Sequence, residues 1–292
     1  MFALAEPGVR NQAGRGQTEN VKSTQRAHRI VFANEKGGTG KSTTAVHAAV
    51  ALAAAGHRVA ALDLDIRQKT LVRYLDNRAD TMRRRQLDLP MPSHAVLNAA
   101  STAGLNEEVE RLSEDNDFII VDTPGRDDPL ARAAISLADT LVTPINDSFV
   151  DLDLIGQVDA ETFKVKKPSF YAELIWDLRK DRAKIDGGTV DWVVLRNRLQ
   201  HLEAHNMRRV AAALTELSKR VGFRVIPGLG ERVIYRELFP KGLTLIDVGA
   251  IESVGLSHIA ARQELREMIS GLALPAREER AVPEEPLLKI AL

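Results

Sequence analysis

The sequence predicts an α/β fold, a doubly wound and mainly parallel sheet flanked by helices, and three observations predict it. From Arg29 onward, short apolar runs alternate with helical patterns, as consecutive βαβ units do. The runs are mostly unbroken, as strands covered on both faces require. The first of them leads through the glycine-rich turn Gly37-Gly38-Thr39-Gly40 directly into an alanine-rich helical stretch.

Six strands are expected, over residues 29–33, 58–64, 118–121, 140–143, 192–195 and 223–226. A helix is expected over 41–55, stopped by Gly56 in the left-handed conformation that glycine adopts without penalty. After Asn197, Met207, Val210, Leu214, Leu217 and Val221 recur at spacings of three and four, which marks the buried stripe of another helix. The stretches 83–112 and 168–188, mixed in polarity, are expected at the periphery of the sheet. One domain over 29–270 is expected to carry a flexible arm over 1–28 and a poorly packed, proline-broken tail over 271–292.

Composition narrows the function classes. Lys+Arg and Asp+Glu both number 40, so with a formal net charge of +0 any binding to nucleic acid must come from a local patch. The absence of cysteine excludes a disulfide framework, an iron–sulfur cluster and thiol catalysis. No run approaches the roughly 18 apolar residues of a spanning helix, and the first 28 residues hold no signal-peptide pattern, so a cytoplasmic protein is expected. The seven histidines show no metal-ligand spacing, and His47 reads as a packed or half-exposed helix residue.

The chemistry concentrates in Asn34-Glu35-Lys36-Gly37-Gly38-Thr39-Gly40-Lys41-Ser42-Thr43, between a strand and a helix, which is the context a phosphate-binding loop requires. The glycines let successive N–H groups turn toward phosphate oxygens, and the helix that follows adds the positive end of its dipole. Lys41 is expected on the β- and γ-phosphates of a nucleotide and Ser42 on Mg²⁺. The pattern G-x-x-x-x-G-K-S/T is broken at its first position, where Glu35 stands, and is followed by a second lysine, Lys36, badly placed to serve the same phosphates.

Acidic residues at two further strand ends fit the same site, because ligands bind at the carboxyl ends of the strands in such sheets. Asp65 is expected to orient or activate the attacking water, and Asp63 to sit nearer the metal's water shell. The other reading for either carboxylate is a cap on the following helix. Asp122, ending the next run, has the place of a carboxylate that holds Mg²⁺ through water, and Thr123-Pro124-Gly125 that of a turn sensing the γ-phosphate.

These motifs resemble the ParA/MinD family of deviant Walker A ATPases over nearly all of 29–270. Within it, Asn34 to Gly38, Asp63 to Gln68, Thr143 to Asp151, Asp191 to Arg198 and Arg232 to Pro240 are similar to the MipZ branch, which positions the division plane. The resemblance implies an ATP-dependent homodimer, ATP and Mg²⁺ as cofactors, inhibition of FtsZ assembly, and binding to ParB and nonspecific DNA. It also implies a nucleoid-associated protein concentrated toward the cell poles with ParB. Lys36 matches the lysine that reaches across to a partner's nucleotide, Gly38 the glycine facing the partner, and Asp65 the hydrolytic aspartate. Asn197 matches the position that reads the adenine edge, although a turn residue would look alike. Pro227 is placed to pack on the base, as any loop proline there would be.

Arg208, Arg209, Lys219 and Arg220, off the apolar stripe, form a candidate DNA-binding face or an ordinary solvated one. Arg83-Arg84-Arg85 is a second basic patch or a solvated turn. The acidic, proline-broken end lacks the basic amphipathic helix of membrane-bound relatives, so no membrane binding is expected. Three other functions share the loop: a partition ATPase, a ligase acting on a small metabolite, and a module that binds nucleotide without cleaving it.

Overall fold

The computed structural model describes residues 26–146, 148–159, 162, 164–198, 204–248 and 256–277. Seven parallel strands form one sheet in the order β3-β2-β4-β1-β5-β8-β9. They are β1 (His28–Phe32), β2 (Val59–Asp63), β3 (Ser93–Val96), β4 (Phe118–Asp122), β5 (Thr140–Asn146), β8 (Asp191–Asn197) and β9 (Arg224–Pro227). A separate antiparallel hairpin joins β6 (Gly156–Val158) to β7 (Val165–Pro168). All six expected strands are present, and β1 lies in the middle with the halves of the sheet wound to either side of it.

Alternation along β1 shows how the core divides. Ile30 and Phe32 enter the cluster that holds α1 (Lys41–Ala54), α2 (Thr70–Arg85), α8 (Ile234–Leu238) and α9 (Leu256–Gly271), whereas Val31 enters the opposite cluster. That second layer is built by α3 (Thr102–Asp115), α4 (Pro129–Leu137), α5 (Phe149–Leu152), α6 (Phe170–Asp186) and α7 (Ala204–Val221). Gly56, at φ +88°, follows α1 as expected. Val210, Leu214, Leu217 and Val221 are buried along α7, and the side chain of Met207 lies outside the described residues.

Two expectations need refinement. The stretch 83–112 lies at the periphery of the sheet, but as regular structure: it holds the last turn of α2, the edge strand β3 and most of α3. β3 escapes notice because it is four residues long and mostly half-exposed, so it shows no apolar run. The stretch 168–188 is largely α6, which caps its first turn with Ser169 and buries Tyr171, Ala172 and Ile175 against the sheet.

At the amino-terminal edge of the sheet the two described ends of the chain meet. Ala27 is buried, Arg26 pairs with Asp139, and the Arg277 guanidinium donates to the Arg26 carbonyl at 3.0 Å. Most of the expected arm and tail, residues 1–25 and 278–292, lies outside the described residues. Among the described residues no helix is long and apolar enough to cross a membrane.

Candidate active site

The loop from β1 to α1 lies at the carboxyl edge of the sheet. It is held from below: Asn34 donates its amide to the Pro144 carbonyl and accepts from Lys36 N at 2.6 Å, and Ala33 N bonds Val142 O at 3.0 Å. Gly38 and Gly40 have φ of +79° and +83°, the left-handed region that glycine enters freely. At Gly37 and Gly38 an added Cβ would meet nothing within 4 Å, so this side of the loop faces open space. α3, α4 and α6 are capped by the side chains of Ser101, Asp128 and Ser169, but α1 starts at Gly40 with no side-chain cap. Its first-turn N–H groups, on Lys41, Ser42 and Thr43, are thus left for an anion.

The polar groups around that opening suit a metal-bound nucleotide. Lys41 Nζ lies 3.1 Å from Asp122 Oδ1, and the Ser42 hydroxyl stands beside the same carboxylate. Asp122 is almost wholly buried; burial pushes its carboxyl up, Lys41 and Ser42 pull it down, and nearby Asp65 adds to the rise. A hydroxyl beside a buried carboxylate is a donor set for Mg²⁺, and the ammonium complements phosphate. The Thr39 hydroxyl is buried in the loop without a hydrogen-bond partner. Gly125 packs on the loop, its added Cβ falling 3.6 Å from the Gly37 Cα, so the Thr123-Pro124-Gly125 turn adjoins the phosphate cradle.

Asp63 takes the capping role. Its Oδ1 accepts from Asp65 N at 2.9 Å and its Oδ2 from Leu71 N and Val72 N at 3.0 and 3.3 Å, closing the start of α2. Burial and the neighbouring Asp122 raise its carboxyl to about 6 against those three N–H groups. Asp65, half-buried beyond the strand, accepts from Arg67 N and Gln68 N through Oδ1.

Lys36, expected to serve a partner, is here ion-paired to Asp151 of its own protomer. Asn197 spends its amide on the protein: Nδ2 donates to the Thr39 carbonyl at 2.8 Å, and Oδ1 accepts from Leu229 N at 3.2 Å. Pro227 is exposed at the end of β9. Arg208, Arg209, Lys219 and Arg220 are all exposed on α7, but Arg220 is bonded to Glu216 and to the Val165 carbonyl. Arg224, just beyond, is turned inward onto Asp191 and the Gly271 carbonyl, so it belongs to the scaffold. Arg83-Arg84-Arg85 form the last turn of α2, where cations complement the carbonyl end of a helix. His47 is fully buried, with Nδ1 2.8 Å from the Thr43 carbonyl. No group of acidic or histidine side chains among the described residues is arranged to hold a metal by itself.

The family model for the ATPase MipZ matches residues 28–276, which hold the whole sheet and every residue of this site. The chain belongs to the MipZ family of ATPases. It is also 30% identical over 164 residues to the septum site-determining protein MinD of Helicobacter pylori, covering 47% of this chain and 61% of that protein. The protein ParA of Rhizobium radiobacter is 25% identical over 213 residues, 73% of this chain and 82% of its own. The chain spans about three fifths of the length of the MinD relatives it matches. Among solved structures, the ATP complex of a Cyanothece McdA variant superposes with a TM-score of 0.59 at 16% identity over 87% of this chain and 99% of that one. MinD of Pyrococcus horikoshii OT3 with Mg-ADP gives 0.55 at 18% identity over 85% and 97%. Likeness at this identity establishes the MinD/ParA-like fold and nothing finer.

Three supports of this MipZ-family site are not called by its motifs. Asp151 stands in a segment that carries the resemblance but gives no chemical cue. Tyr171 on α6 donates to the Ala33 carbonyl at 3.1 Å and shares Thr143 with Trp192, a buried network directly beneath the loop. Glu264 on α9 accepts from Gly230 N at 2.9 Å and from Arg232, fixing the segment after β9. Long sequence separation hides all three.

Proposed function

We propose that this MipZ-family chain is an ATP- and Mg²⁺-dependent dimerisation switch that governs division-site placement by inhibiting FtsZ assembly, with ParB and nonspecific DNA as further partners. The observation that carries the nucleotide part is the uncapped start of α1 facing an open glycine loop, with Lys41, Ser42 and Asp122 gathered beside it. Bound ATP·Mg²⁺ supplies the phosphoanhydride whose cleavage resets the switch. The backbone from Gly37 to Thr43 and the Lys41 ammonium hold the phosphates, while Ser42 and Asp122 hold the metal, Asp122 through water. Asp65 orients water at the rim. Asp63 acts on the site through Asp65, whose backbone it fixes.

Lys36 stands apart from Lys41 on the loop and is assigned to the partner protomer, with Gly38 at the contact between protomers. Asn197 and Pro227 bound the base. The exposed cations Arg208, Arg209, Lys219 and Arg220, doubled in the dimer, are assigned to DNA phosphates, which gives salt-sensitive and sequence-independent binding. The cellular place that goes with this reading is cytoplasmic, on the nucleoid and toward the poles with ParB.

The deciding experiment is light scattering with size exclusion on Asp65→Ala with no nucleotide, with ADP and with ATP, followed by addition of the ATP form to polymerising FtsZ. A dimer with ATP alone that shortens or disperses FtsZ polymers is the expected result. A dimer without effect on FtsZ would transfer the switch to partition, and a monomer in all three states would remove the switch. Lys36→Ala is expected to keep nucleotide binding and lose the dimer.

A further inference from the structure

Between α1 and α9 runs a groove that no described residue fills. On α1, Ala51, Ala54 and Ala55 share one face at helical spacing, and on α9 so do Leu265 and Ile269 with Arg262 and Arg266. Alanine ends at Cβ, so the facing helices leave about 50 Å³ between them, room for a branched aliphatic side chain or two and too little for a cofactor. Arg266 is exposed and bonds to Gln263 of its own helix, and among the described residues neither Arg262 nor Arg266 meets a carboxylate. An apolar groove bordered by two unpaired cations is complementary to an apolar segment that carries acids.

Such a segment starts close by. His57, just beyond the alanine face of α1, and Arg277, where the described residues end, pack on the same Phe118 ring, at 5.1 and 5.9 Å from its centre. Beyond Arg277 the sequence reaches Pro283-Glu284-Glu285-Pro286-Leu287-Leu288-Lys289-Ile290, two carboxylates directly before an apolar run. Extended chain from Arg277 to Leu287 spans up to roughly 33 Å, whereas the alanine face from Ala51 to Ala55 is only about 6 Å long. Residues 1–25 offer no such match, because Arg10, Arg15 and Lys22 outnumber Glu6 and Glu19 there. We propose that residues 284–290 dock in this groove of their own chain, with aliphatic side chains of the Leu287–Ile290 run in the cavity and Glu284 and Glu285 against Arg262 and Arg266. The docked segment braces α1, which starts at the phosphate loop, against α9, whose Glu264 fixes the segment after β9. This is independent of the dimer-switch reading.

The chain has no cysteine, so introduced pairs report proximity without background. In the full, nucleotide-free chain, Ala54→Cys with Leu288→Cys should form an intramolecular disulfide under mild oxidation, read by peptide mass spectrometry. It should form several-fold faster than in Lys219→Cys with Leu288→Cys, where Lys219 is exposed on α7, in the layer across the sheet. Arg262→Glu with Arg266→Glu should remove most of that excess, and adding Glu284→Arg with Glu285→Arg should restore it. Equal rates for the two cysteine pairs would overturn the proposal, as would disulfides that join two chains, which would assign the groove to a second copy. A rate indifferent to the arginine changes would overturn the pairing that selects this segment. A second measurement needs no cysteine: trypsin cleavage at Lys289 should be several-fold slower in the wild type than in Arg262→Glu with Arg266→Glu, and equal cleavage would also defeat the docking.

Discussion

Asn197, the last residue of β8, holds the phosphate loop by donating Nδ2 to the Thr39 carbonyl at 2.8 Å, while Leu229 N donates to its Oδ1 at 3.2 Å. The amide is buried, so removing it strands a backbone carbonyl and an N–H at once. Asn197→Ala is expected to lower stability in the absence of nucleotide by about 1–3 kcal/mol, and to weaken nucleotide binding as a consequence. Denaturant unfolding of the nucleotide-free variant checks this. A residue that served only the adenine edge would lose affinity with no change in that curve.

Gly40 and Gly37 are predicted to differ sharply. Gly40 has φ +83°, and an added Cβ would fall 2.4 Å from Asn197 Nδ2, so Gly40→Ala strains the backbone and dislodges the side chain that holds the loop. A loss of about 1–3 kcal/mol is expected. Gly37 has open space where a Cβ would go, so Gly37→Ala should leave the ligand-free melting curve within about 0.5 kcal/mol of wild type. It should still weaken nucleotide binding by crowding the cradle. Equal melting shifts for the two variants would contradict this account.

The site was legible where chemistry follows local spacing, and obscure where it depends on distant packing. Lys41, Ser42 and Asp122 come together because a strand–loop–helix unit and a neighbouring strand end fix their positions. Asp63 was visible as an acid at a strand end, but only the path of the chain into α2 shows that its oxygens go to Leu71 N and Val72 N. Ser93 to Val96 form a strand because β2 offers an edge, a reason found nowhere in those four residues. Arg78 reads as one more surface cation on a helix rich in arginine, yet it is fully buried. Asp151 carries no local cue to its pairing because its partner, Lys36, lies 115 residues away.

Arg78 supplies a prediction about stability. Its guanidinium grips Asp247 with bonds of 2.6 and 2.8 Å and also donates to the Pro90 and Gly242 carbonyls, tying α2 to the segment before α9. Arg78→Met leaves Asp247 buried without its counter-charge and should cost about 3–5 kcal/mol. Adding Asp247→Leu should return part of that loss, since no isolated charge then remains. Urea unfolding of the two single variants and the double variant decides it; a double variant no better than Arg78→Met would mean that the lost carbonyl bonds dominate.

His47 gives the pH dependence. It is wholly buried on α1 between the rings of Tyr74 and Tyr235, and that burial pushes its imidazole down to about 4 from 6.5. Between those values the unfolded chain binds a proton that the folded chain refuses, so stability is complete above 6.5 and is lost as the pH falls toward 4. A gap of this size is worth about 3 kcal/mol. Asp63 works in the opposite sense: its carboxyl is raised to about 6, so its share of stability is present at low pH and lost as the pH rises from 3.8 through 6. The two partly cancel in the wild type, so the informative quantity is the difference between wild type and His47→Leu, which cannot ionise. That difference, measured by urea unfolding at intervals between pH 4 and 7, should grow with pH up to about 6.5 and then level off. A difference that stays flat across the window would mean that the folded chain accommodates a charged His47, contrary to the burial that isolates it between the two tyrosines.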